Sequence, residues 1–522
     1  MEFMFLSIFI DLPSNLSENF RWIGMLSINI IYFISLTVIF GYSLLQAYLL
    51  FRYKFSSKNK DLEFKDENWP NVTIQAPVFN ETTVIERLIR SLVAIDYPKE
   101  KLQIQILDDS TDETTDIAKE VIANIQSESS IDIQIVRRKN RQGYKAGALR
   151  DAMDEVKGEY VAIFDADFIP EPDFLIKTLP YFENDRIGMV QTRWGHLNKS
   201  KMMLTELQAF GLNGHFAIEQ KGRNTSGHFI NFNGTGGVWR KSCIEDAGGW
   251  NSDTLTEDLD LSYRAQMKGW DFKYLEDVES PAELPETMLA LKNQQHRWMK
   301  GGAECLLKNS RSLLSHPKVS VANKFNGILH LFNSSVFLFI FLLAFFSVPI
   351  VIFRANSPEI NKLYHFETLF FASTVILYFY YYFSYRDKKN NLLVDIVLFT
   401  LRFFQFLTVS LGLSFNNAKA VFEAYLGKKS GFVRTPKFNG GKIVSKIADY
   451  PKRKIQMWIE IGLFTYFLIG LIYGVLYNVY GLIPFQIMLV LGYGYVSCQT
   501  IFDILAMNKI EKHQLATKLN PV

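Results

Sequence analysis

Between Trp22 and Phe51 the chain carries no Asp, Glu, Lys or Arg. A bilayer crossing needs about 20 apolar residues, so this run is long enough to be a transmembrane helix. Gly327–Phe353 and Thr368–Ser384 are also uncharged, and Ile461–Phe502 is long enough for two helices divided near Asn478–Gly481. A chain built this way must fold partly in lipid. Asn71–Ser310, by contrast, is charged throughout. Composition agrees: 48% hydrophobic and 15% aromatic is too apolar for a soluble protein of 522 residues, while 21% charged is too much for a pure membrane bundle. A disordered chain and a disulfide scaffold are excluded. The net charge of +3 supplies no basic field for nucleic acid. Cys243, Cys305 and Cys498 lack metal-like spacing and read as free thiols in a reducing compartment.

Charge asymmetry orients the chain. Arg52, Lys54, Lys58 and Lys60 follow the first run, whereas Glu2, Asp11 and Glu18 precede it without a basic signal-peptide region. The expected layout is an extracytoplasmic N-terminus (1–21), a transmembrane helix (22–51), a linker (52–69), a cytosolic α/β domain (70–310), a membrane bundle (325–505) and a cytosolic tail (506–522). Within the bundle, 391–426 is apolar yet carries Asp395, Arg402, Lys419 and Glu423, and basic loops flank it on both sides. Two helices in so short a stretch would each fall below a full crossing. The segment is expected to be a re-entrant or tightly packed hairpin facing protein or water. The loop 427–454 after it is expected in the cytosol.

In the charged domain, Ile- and Val-rich runs alternate with helical patterns: Val72–Ala76, Ile104–Leu107, Ile131–Val136, Tyr160–Phe164 and Gly188–Thr192. Strand–helix alternation predicts a mostly parallel sheet, whose ligands bind at the carboxyl ends of the strands. Acids cluster at those ends: Asp108 and Asp109 after the second run, Asp165 and Asp167 after the fourth. Two carboxylates spaced Asp-x-Asp on extended chain suit a hard divalent cation that shares its other positions with substrate phosphates. Any one pair could equally be a helix cap or turn; several at successive strand ends point to one site. Gly143 and Gly147 flank Lys145 at a helix start, where an ammonium can meet a diphosphate. No Walker A or Gly-x-Gly-x-x-Gly motif occurs. Thr256-Glu257-Asp258 opens another helix, as a general base or as a capping acid. Gln294-Gln295-His296-Arg297-Trp298 lies on an amphipathic helix before the returning spans, where Arg297 can clamp phosphate and Trp298 can stack on a sugar or anchor at the interface. His215, His228 and His330 read as structural or surface residues.

In this order, Asp108-Asp109, Asp165-Ala166-Asp167, Thr256-Glu257-Asp258 and Gln294-Gln295-His296-Arg297-Trp298 resemble the signature of the processive family-2 glycosyltransferases, which include cellulose and hyaluronan synthases. The stretches LDDSTDET, NRQGYKAGAL, FNGTGGVWR and QQHRW are similar in particular to the plant cellulose synthase-like A and C proteins, which make mannan, glucomannan and the xyloglucan backbone. The resemblance implies a GT-A type domain set between transmembrane helices. It implies that Asp108, Asp109 and Asp165 contact the nucleoside and Lys145 the diphosphate. Asp167, with Asp165, would hold Mg2+ or Mn2+, and Asp258 would be the base with Glu257 beside it. Gln294 and Arg297 would frame the diphosphate, and Gln295 and Trp298 the acceptor. Phe432–Lys437 resembles a gating loop that would place Phe432, Thr435 and Lys437 over the nucleotide. The implied activity is inverting transfer of hexose from UDP-glucose or GDP-mannose to a β-glycan, β-1,4-linked in the family pattern, coupled to export, with accessory export subunits among the implied partners. Residence would be in a plasma or inner membrane, or in the Golgi. The alternatives are a non-processive transferase acting on a lipid acceptor, like ceramide glucosyltransferases, and a non-catalytic membrane receptor.

Overall fold

The computed structural model describes residues 14–57, 62, 69–356, 368–385, 391–431 and 454–519, with side chains from residue 23 to residue 509 within them. Seven strands form one sheet: β1 (Val72–Val78), β2 (Leu102–Asp108), β3 (Asp132–Val136), β4 (Tyr160–Ile163), β5 (Ile187–His196), β6 (Gly237–Arg240) and β7 (Asp271–Ala282). Their order is β3-β2-β1-β4-β6-β5-β7. β6 runs antiparallel to both neighbours, and all other pairs are parallel. The carboxyl ends of β1, β2, β4, β5 and β7 therefore share one rim. Helices cover both faces, and β2 is buried along its whole length although Gln103 and Gln105 alternate with its apolar residues; their amides pair with Thr73 and Gln75 of β1. One core packs Ile74, Ile104, Phe164 and Phe174; the other packs Val161, Ile163, Trp239 and Leu261.

The five expected strands are present. β6 and β7 are additional. β6 has only four residues, and β7 is acidic and irregular, with register shifts against β5. Both gain their hydrogen bonds from tertiary neighbours rather than from a local pattern.

Among the described residues, five helices are long and apolar enough to cross a membrane: Ile23–Lys54, Val321–Asn356, Leu392–Gly412, Lys454–Leu476 and Tyr480–Lys509. Thr368–Ser384 is a shorter apolar helix. Residues 391–426 fold as two unequal helices, Leu392–Gly412 and Ser414–Tyr425. They do not pack tightly on each other, as a compact hairpin would. The first lies along the Ile483–Leu519 helix, while the second packs on Met288–Ser315 and Val336–Asn356. Their junction sits deep in the bundle, where the Ser414 hydroxyl is 3.1 Å from that of Tyr493. Both outer arms turn back toward the α/β domain: Arg402 pairs with Glu206, and Glu423 with His296.

The interface helix, Met288–Ser315, joins the two halves. Thr287 caps it by accepting from Ala290 N–H. Gly301 lets it press on the loop before the Glu257–Met267 helix, since a Cβ there would lie 2.5 Å from Thr256 Cγ2. Gly301→Ala should force the helix off that loop. Overpacking of this kind costs about 1–3 kcal/mol, so the thermal midpoint should fall; an unchanged melt would show that the contact yields freely.

Candidate active site

The rim is built by short turns that leave the strand ends. Asn80 follows β1 in the left-handed region (φ 57°). Its amide accepts from Thr111 N–H at 2.9 Å and its own N–H donates to Ser110 at 2.9 Å, which ties the β1 rim to that of β2. Asp108 points inward, accepting from Ser110 N–H at 2.8 Å and from the Thr115 hydroxyl at 2.6 Å. It shapes the turn and does not line the cavity. Asp109 does line it. Arg138 grips both its oxygens, at 2.8 and 2.6 Å. Beside it the Arg141 guanidinium stacks 3.3 Å over the Phe79 ring. A flat cation on an aromatic ring next to a carboxylate is suited to a nucleobase.

Lys145 emerges from the strained start of its helix, where Gly143 and Tyr144 both have positive φ. Its ammonium donates to Asp165 at 2.6 Å and to the Gly234 carbonyl at 2.8 Å. Burial would lower its pKa, but Asp165, Glu257 and Asp258 outweigh this and raise it, so the charge is retained. Gly234 (φ 82°) is needed here because a Cβ would stand 3.0 Å from Asp258 Oδ2 and 3.5 Å from Lys145 Nζ. Asp165 and Asp167 line the same cavity, Asp167 buried. No group of three or more metal-binding side chains occurs among the described residues. Two carboxylates without a protein cage fit a cation whose other ligands are waters and phosphate oxygens.

Asp258 and Glu257 open the helix that overlooks this cluster. Loss of water raises the Asp258 pKa from 3.8 to about 7, Glu257 adds to the rise, and Lys145 opposes it. A base poised near neutrality can take a proton from a hydroxyl as that hydroxyl attacks. From the interface helix, Gln294, Arg297 and Trp298 face the cavity, as the i, i+3, i+4 spacing requires. Gln295 sits on another face and accepts from Asn417 at 2.8 Å, away from the cavity. Trp298 and Trp194 lie 6.4 Å apart, and Phe168 extends the aromatic wall at 5.3 Å from Trp194.

Phe432, Thr435 and Lys437 lie outside the described residues. The preceding residues are held by Lys300, which donates to the Lys428 carbonyl and to Ser430. Lys429 and Ser430 line a small cleft with Tyr144 and Lys145. Sequence reasoning missed Phe79, Arg138, Arg141, Trp194, His196 and Glu283. Phe79, Arg138 and Glu283 sit one or two residues beyond a strand end, and strand-end position was the signal that could have found them; Trp194 and His196 lie within the last residues of β5.

Comparisons with known proteins agree with this geometry. Residues 70–301 match the family described as "Glycosyltransferase like family 2". The chain thus carries a family-2 glycosyltransferase domain with the GT-A fold and apolar helices flanking it. It is 40% identical to probable glucomannan 4-beta-mannosyltransferase 1 of Arabidopsis thaliana over 314 residues, 59% of this chain and 57% of the relative. It is 42% identical to glucomannan 4-beta-mannosyltransferase 2 of the same plant over 272 residues, 51% of each chain. The matched part thus spans little more than half the length of these relatives. A solved mannosyltransferase of Pyrobaculum calidifontis, in complex with GDP-Man and Mn2+, shares the fold at a TM-score of 0.53 and 18% identity. The match covers 77% of this chain and 100% of that one.

The Asp258 shift has a measurable sign. Its carboxyl ionises near 3.8 when unfolded and near 7 when folded. The folded state therefore binds more protons between these values, and stability falls as pH rises through them. Asp258→Asn should melt higher than the parent at pH 8, with the difference fading toward pH 4. An equal or lower melt at pH 8 would show that the carboxylate is well solvated.

Proposed function

We propose that the chain is a membrane-embedded inverting glycosyltransferase that adds β-1,4-linked mannose from GDP-mannose to a growing glycan. The observation that carries this is one cavity lined by Asp109, Lys145, Asp165, Asp167, Asp258 and Trp298. The printed names of the relatives support mannose over glucose, with UDP-glucose the other donor to test. The nucleobase lies by Asp109 and the Phe79–Arg141 stack. The diphosphate draws Lys145 from Asp165, and Arg297 and Gln294 hold it from the interface helix. A divalent cation held by Asp165 and Asp167 would neutralise charge on the leaving diphosphate. Asp258 takes the proton of the acceptor hydroxyl, which attacks the anomeric carbon on the face opposite the leaving group, so an α-linked donor gives a β-linkage. Trp298, with Trp194, offers an aromatic face to the apolar C–H face of a pyranose.

The membrane arrangement follows the same reading. The α/β domain faces the cytosol, as the basic residues after the first span require. The 391–426 helices enter from that side and return to it, which the Arg402–Glu206 and Glu423–His296 pairs support. Their deep junction would lie beside the path of an exported glycan.

Purified protein in detergent, given labelled GDP-mannose or UDP-glucose, tests the proposal through product size and linkage. Long β-1,4-mannan is the expected product; a single sugar on a lipid acceptor would favour the glycolipid alternative. Asp167→Ala should lose at least 100-fold in transfer, and excess chelator should silence the parent. Full activity in chelator would overturn the cation. Trp298→Ala should reduce transfer more than donor hydrolysis; equal loss in both would make it an interfacial anchor.

A further inference from the structure

One residue of the cavity has no place in this scheme. β5 ends at His196 and lies two strands from β4, across β6. Strands are spaced about 4.8 Å apart, so β5 is displaced roughly 10 Å sideways from β4, and with Gln191 level with Ile163 it runs on beyond the β4 end to His196. The base-binding end of the cavity lies in the opposite direction, at β1 and β2. Beyond the diphosphate, then, the cavity has room for a sugar, bounded by Trp194, His196, Glu283 and Trp298.

His196 is unusual among these. Its Nε2 is buried and has no hydrogen-bond partner. Its neighbours do not supply one: Glu283 is taken by Arg87 at 2.8 Å, and Arg193 pairs with Glu279. Burial, with Arg193 and Lys199 nearby, holds the imidazole pKa down to about 3, so the ring is neutral throughout the physiological range. A neutral imidazole can donate from one nitrogen and accept at the other. It therefore suits an uncharged partner with both capacities, and buried polar atoms are rarely left without one. The aromatic wall of Trp194 and Trp298 beside it suits the apolar face of the same partner.

We propose that His196 binds a hydroxyl of a hexose at the β5 end of the cavity, and so helps select the sugar. This rests on the glycosyltransferase reading of the site. The hexose is either the one transferred or the terminal one of the acceptor, and the two have the same chemistry.

The test uses the full chain in detergent, with His196→Phe and His196→Gln. Transfer from labelled GDP-mannose, donor hydrolysis without acceptor, thermal midpoint, and binding of mannobiose and cellobiose by saturation-transfer NMR are measured. His196→Phe should lower kcat/KM for transfer at least tenfold. The empty protein should melt no lower than the parent, because a buried nitrogen without a partner has been removed. His196→Gln, which keeps a donor and an acceptor, should recover most of the loss. A raised donor KM in hydrolysis assigns the transferred hexose; normal hydrolysis with weakened disaccharide binding assigns the acceptor hexose. Parent-like transfer by His196→Phe would overturn the proposal. So would a loss of activity that follows a fall in midpoint and is not recovered by glutamine. A parent protein inert to nucleotide sugars that still binds mannobiose through His196 would overturn the transferase reading alone. Absence of both activities would overturn both.

Discussion

A buried ammonium and carboxylate fix how the two halves of this protein meet. Lys292 on the interface helix and Glu460 on the Lys454–Leu476 helix stand 2.6 Å apart, both almost completely enclosed. The Thr500 hydroxyl takes a second hydrogen bond from Lys292. Asn416 donates to the Lys292 carbonyl at 3.1 Å and accepts from Gln456 at 3.0 Å, so four helices share one polar cluster. Removing one partner of such a pair typically costs about 3–5 kcal/mol, because the other charge is left buried and alone. The pair need not stabilise the fold relative to apolar packing. What it imposes is registry: the interface helix can sit at one height and one rotation only. Given that rotation, Gln294, Arg297 and Trp298 must face the cavity, and Gln295 and His296 must face the Ser414–Tyr425 helix.

The rim illustrates how a site can gather acids without collapsing into mutual repulsion. Asp109 is paired with Arg138, Asp165 with Lys145, and Asp108 with Arg137 at 3.4 Å, besides the hydroxyl and backbone donors of its own turn. Asp258 is treated differently. It is cut off from water and lies beside Glu257, and these outweigh Lys145 and the backbone N–H donors of Leu259 and Asp258, so its ionisation is delayed to near neutrality. On the proposed reading, environment separates residues of identical chemistry into binders and a base. A diphosphate entering the cavity would compete with Asp165 for Lys145 and leave Asp258 as the carboxylate to accept a proton.

Much of this was legible in the sequence because it rests on period and position. β1 to β5 read as apolar runs, and the acids at their ends followed from parallel strands sharing a rim. What was not legible depends on side-chain direction or distant pairing. Asp108 and Asp109 are adjacent, so extended geometry sends them opposite ways, and only one reaches the cavity. Gln294 and Gln295 differ by 100° around a helix, and nothing local says which faces the site. β7 is acidic and paired only through β5. Trp194 and His196 alternate onto the same face of β5, a period-2 signal that lacked a motif to draw attention to it. The 391–426 segment was too short for two crossings, but its arms proved unequal because they pack on different partners.

The α/β domain is also held from beneath its cavity. The turn Gly214–Gln220 winds as a π-helix, and the Tyr380 hydroxyl of a membrane-side helix donates to the Gly214 carbonyl at 2.8 Å. On that turn His215 bridges Glu219 at 2.9 Å and Asn233 at 3.0 Å, and Arg223 donates to Glu219 at 3.2 Å. These partners draw the Glu219 pKa down although burial would raise it, so the carboxylate stays charged. Asn233 lines the cavity and precedes Gly234, the residue that separates Lys145 from Asp258. The backbone that spaces Lys145 and Asp258 is thus anchored through His215 to a turn that rests on the apolar helices. Because π-turns arise where an inserted residue must be accommodated and recur at functional sites, its position here has a physical reason. It puts the charged face of the turn under the cavity and its glycine face on the helix bundle, so the shape of the cavity and its seating on the bundle are set by the same seven residues.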